Sequence, residues 1–161
     1  MPRYLHALTV QPDGGVLVAG EFTDFGAHSS IVRLVPTGEV DASFDAGTVL
    51  MQNDIARTQA VVAQKDGRIL CAGYFTSIQG QVHRGIARLL ASCWVDNTFA
   101  DQVLLQPEAS YLVIQPGGHL LVGASALDPQ SPSYLQLRSM LTQGLTCSRM
   151  PPLGYRRRPR Q

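Results

Sequence analysis

The sequence has few cysteines, little charge and no long apolar run. Its 161 residues include three cysteines without Cys-x-x-Cys spacing, and 16% of the residues are charged. The cysteine pattern excludes a zinc knuckle and a dense disulfide framework. No stretch approaches the roughly 18 consecutive apolar residues of a membrane-spanning helix, and the patterned sequence after Met1 predicts no signal peptide. The length and composition are those of one globular domain with its own core.

The charges are unevenly distributed. The formal net charge is +1, but five arginines lie in the last thirteen residues. The residues before Arg149 contain eight basic and twelve acidic side chains. Proline and arginine in residues 151–161 predict a disordered basic tail. Salt-sensitive binding of this tail to nucleic acid is an alternative role, but its charge is small, so we predict no nucleic-acid partner.

One block of residues occurs three times. Its anchors Gln11, Gln64 and Gln115 are 53 and 51 residues apart, and a period of this length indicates a repeat architecture. After the first two anchors, Phe-Thr, Ile-x-Arg-Leu and Val-Asp-x-Ser/Thr-Phe follow in the same order; the third copy is weaker. We place the repeats at about residues 4–53, 54–105 and 106–150 of one domain, residues 1–150.

Each repeat contains four short strand candidates. In the first repeat they are residues 4–10, 16–22, 31–35 and 39–44, separated by turn residues. Asp13-Gly14 and Asp66-Gly67 predict tight primed hairpin turns with positive φ at their centre. Because the sequence shows no helical periodicity, the predicted fold is all-β. Four antiparallel strands every 50 or so residues favour β-propeller blades over the alternative, a β-solenoid.

These blocks resemble the delta-60 repeat, a β-propeller repeat of large bacterial secreted or surface proteins. The resemblance is carried by Gln-Pro-Asp-Gly, Leu-Val-x-Gly-x-Phe-Thr, Ile-x-Arg-Leu and Asp-x-Ser-Phe. It covers residues 4–44 and 57–99 closely, and 109–150 loosely. The resemblance implies a secreted or surface location, a role as binding platform or spacer, and no catalytic residue set.

Three blades are too few for a closed ring, because propellers use about four to eight. An open arc leaves the packing faces of its end blades exposed. We therefore predict either a homodimer that closes one six-bladed ring or a chain that is part of a longer propeller.

The recurring charged residues are predicted to be structural. Asp at a tight turn bonds its own backbone, and an unpaired Arg inside an apolar strand is costly, so Arg33 and Arg88 are expected to meet Asp41 and Asp96. Cys71, in an apolar run, is expected to be a buried hydrophobe. The predicted structural residues of the repeat are Asp13, Gly14, Asp66, Gly67, Arg33, Arg88, Asp41, Phe44, Asp96 and Phe99.

Three loop residues are candidate ligand-binding positions. His28 and His83 each precede the repeat Arg by five residues, and Tyr134 takes that place in the third repeat. They are expected to be exposed around one rim. Two histidines fall short of the usual four zinc ligands, so we predict no metal and no cofactor.

The sequence therefore favours a noncatalytic propeller module that binds a protein or a glycan, or acts as a spacer. The alternative is a propeller enzyme, of hydrolase or lyase type, with its site at the central channel or loop rim.

Overall fold

In the part of the chain that the computed structural model describes, residues 4–22, 30–50, 56–99, 109–125, 135–141 and 144–149, all regular structure is antiparallel β. The strands are β1 (Tyr4–Val10), β2 (Val16–Glu21), β3 (Ile31–Leu34), β4 (Val49–Leu50), β5 (Arg57–Ala63), β6 (Ile69–Tyr74), β7 (Ser77–Ile78), β8 (Gln81–Val82), β9 (Ile86–Leu89), β10 (Ala109–Ile114), β11 (His119–Ser125), β12 (Leu135–Leu141) and β13 (Gly144–Arg149).

Three sheets follow one another along the chain. The first sheet has the order β1-β2-β3, the second β5-β6-β9 and the third β10-β11-β12-β13. In the first two sheets a single β-bridge stands in the place of a fourth strand. It pairs Leu34 with Val40 in the first sheet and Leu89 with Val95 in the second. The prediction of a full strand over residues 39–44 is therefore wrong: after the bridge the backbone turns, and the Phe44 amide donates to the Asp41 carbonyl at 3.1 Å.

The first hairpin of each sheet has the same three-residue turn. The Gly14 amide donates to the Gln11 carbonyl at 3.0 Å and the Gln11 amide to the Gly15 carbonyl at 2.8 Å; the bonds recur at Gln64 and Gln115. Gly14 has positive φ and Asp13 does not, so the predicted two-residue primed turn is wrong. Pro12 suits the second position of a type I turn, and the following residue in the left-handed region forms a G1 bulge.

A β-bulge interrupts the first strand of each sheet at the same place. The register shifts between Leu5 and Ala7 in β1, and the corresponding shifts lie in β5 and β10. The residues skipped are His6, Gln59 and Ser110. A bulge changes which side chains of a strand face the neighbouring sheet. Because the three bulges lie at equivalent positions, equivalent side chains alternate between the two faces in the same order in β1, β5 and β10.

A fourth, small sheet joins the end of the first repeat to the second. Its order is β4-β7-β8, and Gln79 and Gly80 turn the β7–β8 hairpin with positive φ at both positions. The Gln79 amide group donates to the Ala46 and Cys93 carbonyls at 3.2 and 2.7 Å, and its oxygen accepts from the Val95 amide at 3.0 Å. This one side chain thus ties the small sheet to backbone from both repeats.

The core lies between the sheets in two clusters. The first joins the first and second sheets and includes Leu17, Ile31, Phe44, Val61 and Ile69. The second cluster joins the second and third sheets through, among others, Leu70, Ile86, Phe99, Leu112 and Leu120. The second sheet is therefore covered on both faces.

The described residues include no helix that is long and apolar enough to cross a membrane.

Candidate functional site

The repeated arginines bind the repeated aspartates of their own sheets. Arg33 Nε donates to Asp41 Oδ2 at 2.7 Å, and Arg88 Nε donates to Asp96 Oδ2 at 2.8 Å. Each guanidinium also lies over an aromatic ring, Phe44 at 5.2 Å and Phe99 at 4.8 Å from the centroid. Charge-assisted bonds and cation–π contact together fix these side chains.

The same aspartates also hold the backbone turn that follows. Asp41 Oδ1 accepts from the amide and the hydroxyl of Ser43, and Asp96 Oδ1 accepts from both groups of Thr98. The Ser43 hydroxyl and amide, then the Arg33 guanidinium, lower the pKa of Asp41 to about 2. Burial raises the pKa of Asp96, but the bonds from Thr98 and Arg88 outweigh it and lower the pKa overall.

The turn aspartates bond locally as well. Asp13 Oδ1 accepts from the Gly15 amide at 3.0 Å, and Asp66 Oδ1 accepts from the Arg68 amide at 3.1 Å. Each carboxylate satisfies a turn amide two residues on. Gly14 and Gly67 supply the positive φ that these turns require.

Of the three candidate rim residues, one lies in the described part of the chain. His83 is only 5% exposed, and its amide donates to the Thr76 carbonyl at 3.0 Å. The expectation of an exposed imidazole is therefore wrong for His83, because the residue follows directly on strand β8 of the small sheet. His28 and Tyr134 lie outside the described residues, and ligand binding by the three remains a prediction.

Polar side chains gather instead where the first hairpins of the first two sheets end. Tyr4 pairs with Glu21 across β1 and β2, and Arg57 pairs with Tyr74 across β5 and β6. Arg57 Nε lies 2.8 Å from Glu21 Oε1, which joins the two sheets by an ion pair. β5 contacts both β1 and β10, and the bulges of these three strands lie at equivalent positions of their sheets.

We call this surface the bulge edge; its members are Tyr4, His6, Glu21, Arg57, Gln59, Tyr74 and Ser110. His6 Nε2 lies 3.4 Å from the Glu21 oxygen that binds Arg57, and the Tyr4 and His6 rings stack with centroids 6.5 Å apart. Tyr4 is half exposed. The edge therefore combines an accessible aromatic surface with a carboxylate, a guanidinium, an amide and a hydroxyl.

Sequence reasoning missed the bulge edge. The residues equivalent to His6 in the second and third repeats are Gln59 and Ser110. Because the three residue types differ, comparing the repeats gave no signal. The available signal was polarity at one position of three apolar strands. Among the described residues, no three His, Cys, Asp or Glu side chains form a group that could hold a metal ion.

Two of the three cysteines are buried thiols. Cys71 is fully buried, and burial raises its pKa to about 12. Burial also raises the pKa of Cys93. The expectation that Cys71 packs as a hydrophobe is confirmed.

Comparison with known proteins identifies one related family. The model of a β-propeller domain of unknown function, DUF5122, matches residues 11–44 and 64–99. Comparison with curated proteins and with solved structures gave no match. The two matched segments run from the anchor Gln to the Phe of the Asp-x-Ser/Thr-Phe block. The match supports a β-propeller repeat family, and the delta-60 assignment stays a prediction.

Proposed function

We propose that this chain is a noncatalytic β-propeller module whose bulge edge binds a glycan. In this proposal residues 1–150 form three propeller blades, and residues 151–161 are a basic appendage outside them. The observation that supports the proposal is that the three bulges lie at equivalent positions of β1, β5 and β10, with a polar residue at each.

The chemistry of the edge suits a sugar better than a flat protein surface. A pyranose ring offers an apolar face, which an exposed aromatic ring such as Tyr4 can cover. Its vicinal hydroxyls need paired donors and acceptors, and the Glu21–Arg57 pair and Gln59 supply both. Bulges next to binding sites commonly serve to aim side chains in this way.

The recurring Arg and Asp side chains support the noncatalytic part of the proposal. Their polar atoms are engaged with each other, with turn amides and with aromatic rings of the same sheets. Groups used in this way stabilise each blade. They would have to break those bonds to serve as an acid or a base.

A glycan array tests the proposal directly. We expect the purified protein to bind a restricted set of glycans, and Tyr4→Ala and Gln59→Ala to weaken that binding by about tenfold, since each removes one stacking or hydrogen-bonding partner. The matched control is Val82→Ala, an exposed position on β8, which should bind like the wild type.

Two results would count against this function. One is binding that the two bulge-edge variants leave intact, or that is seen for immobilised proteins and for no glycan. The other is turnover in a hydrolase and lyase screen that a single loop substitution abolishes.

A further inference from the structure

The first sheet exposes an apolar face that the other sheets bury. On β1 this face carries Leu5, Leu8 and Val10, which are 59%, 58% and 69% exposed. We define it as the leading face, with members Leu5, Leu8, Val10, Val16, Val18 and Val40. Large apolar patches on a soluble protein mark interaction surfaces.

The equivalent residues of the second sheet show what such a face contacts. Leu8 corresponds to Val61, which is 4% exposed and belongs to the core cluster shared with the first sheet. Val40 corresponds to Val95 in the same cluster. At the position of Leu5, the Thr58 hydroxyl donates to the Ser30 hydroxyl beside β3 of the first sheet at 3.0 Å.

The third sheet repeats this arrangement. Leu112, equivalent to Leu8, is buried against the second sheet, as are Leu120 and Val122. Twice within one chain, therefore, a leading face packs on the opposite face of the sheet before it. The first sheet has the same kind of apolar side chains, and among the described residues no sheet covers them.

The matching surface lies at the other end of the arc. Ala60, Val62 and Leu70 of the second sheet face the third sheet within their cluster. Their equivalents in the third sheet are Tyr111, Val113 and Leu121, which we call the trailing face. Tyr111 and Val113 are exposed. The leading face of the first sheet and the trailing face of the third are therefore equivalent to the two surfaces that pack together between neighbouring sheets of this chain.

We propose that the leading face packs on the trailing face of a second copy of this chain. Head-to-tail contacts form a closed ring when the rotations between successive copies add up to one full turn. Two copies of three sheets give six, which lies within the usual range of propeller rings. The contact occurs twice in such a dimer and removes all four apolar end faces from water. This interface is independent of the proposed glycan site.

Solution mass tests the proposal. The wild type is expected near twice 17.4 kDa by light scattering, and Leu8→Glu/Val10→Glu near the monomer mass, because two buried carboxylates would face Tyr111 and Val113. Val82→Glu is the control for added charge: it places one carboxylate at an exposed valine of β8 and should remain dimeric. Circular dichroism confirms that each variant is folded.

A wild type that stays monomeric at submillimolar concentration would overturn the proposal and would leave the leading face to another blade or another protein. A charged leading-face variant that remains folded and dimeric would overturn it too, because the dimer would then use a different surface. Loss of the dimer in the Val82 control would place the contact on the small sheet.

Discussion

Arg33 and Arg88 make the same contacts in unequal surroundings. The Arg88 and Asp96 side chains are 5% and 4% exposed, whereas those of Arg33 and Asp41 are more accessible. The second sheet is covered on both faces and the first on one. The burial of a repeated ion pair thus depends on where its sheet stands in the arc.

This difference predicts unequal stability losses. Arg88→Met removes the nearer cation of the buried Asp96 and leaves it only Arg68, whose Nε lies 3.9 Å from Asp96 Oδ2. The free energy of unfolding should fall by about 3 kcal/mol. Arg33→Met should lower it less, because water reaches Asp41 and screens it. Urea unfolding of both variants measures the difference, and equal losses would contradict the role given to burial.

The two aspartates also predict how stability responds to acid. A carboxyl whose pKa is lowered by folding contributes stability above its unfolded pKa of about 4. That contribution is lost as the pH falls through the folded value, about 2 for Asp41. We expect the free energy of unfolding of the wild type to fall between about pH 4 and pH 2.

Asp41→Asn should reduce this slope, and Ser43→Ala should reduce it partly, since Ser43 supplies the strongest bonds that lower the pKa. Denaturant titrations at several pH values provide the measurement. Variants that keep the full wild-type slope would show that Asp41 is not a source of the acid sensitivity.

At the scale of the element, glycine allows two strands to approach where β5 is bulged. A Cβ on Gly73 would collide with the Arg57 carbonyl of the paired strand. Gly73→Ala should therefore destabilise the protein by about 3 kcal/mol through forced backbone movement.

Gly38→Ala is the matched control for this steric effect. Gly38 has a φ of +92° and open space around the added Cβ, so only the left-handed backbone is penalised, by about 1 kcal/mol. Thermal unfolding compares the two variants. A Gly73→Ala loss no larger than that of Gly38→Ala would exclude a close approach at the bulge.

The elements differ in how far the sequence predicts them. Short strand candidates bounded by turn residues predicted β1, β2 and β3 of the first sheet, because these signals are local. The turn type was missed although Pro12 favours a type I turn. The bulges and the small sheet were not predicted. Their geometry depends on contacts with a neighbouring sheet, which a local sequence pattern does not reveal.

The candidate site follows the same division. The Arg–Asp pairing was predicted from repetition and from the cost of burying charge. The bulge edge was not, because its members share a position and a polarity but no residue type. His83 was placed on an exposed rim, yet the structure buries it directly after strand β8 of the small sheet.

At the scale of the whole molecule, one packing rule accounts for what is buried and what is exposed. Equivalent side chains are covered wherever another sheet precedes them, and exposed in the first sheet. We propose that a second copy of this chain covers the apolar side chains that the first sheet exposes.

Cross-linking of two cysteine variants tests whether the leading face of one copy contacts the trailing face of another. In a background with Cys147→Ser, where the remaining Cys71 and Cys93 are buried, one chain carries Leu8→Cys and another Tyr111→Cys. A short bismaleimide is predicted to join the two chains in their mixture and neither chain to itself, because the faces meet head to tail. Absence of the mixed product, or efficient cross-linking of Leu8→Cys alone, would contradict the account.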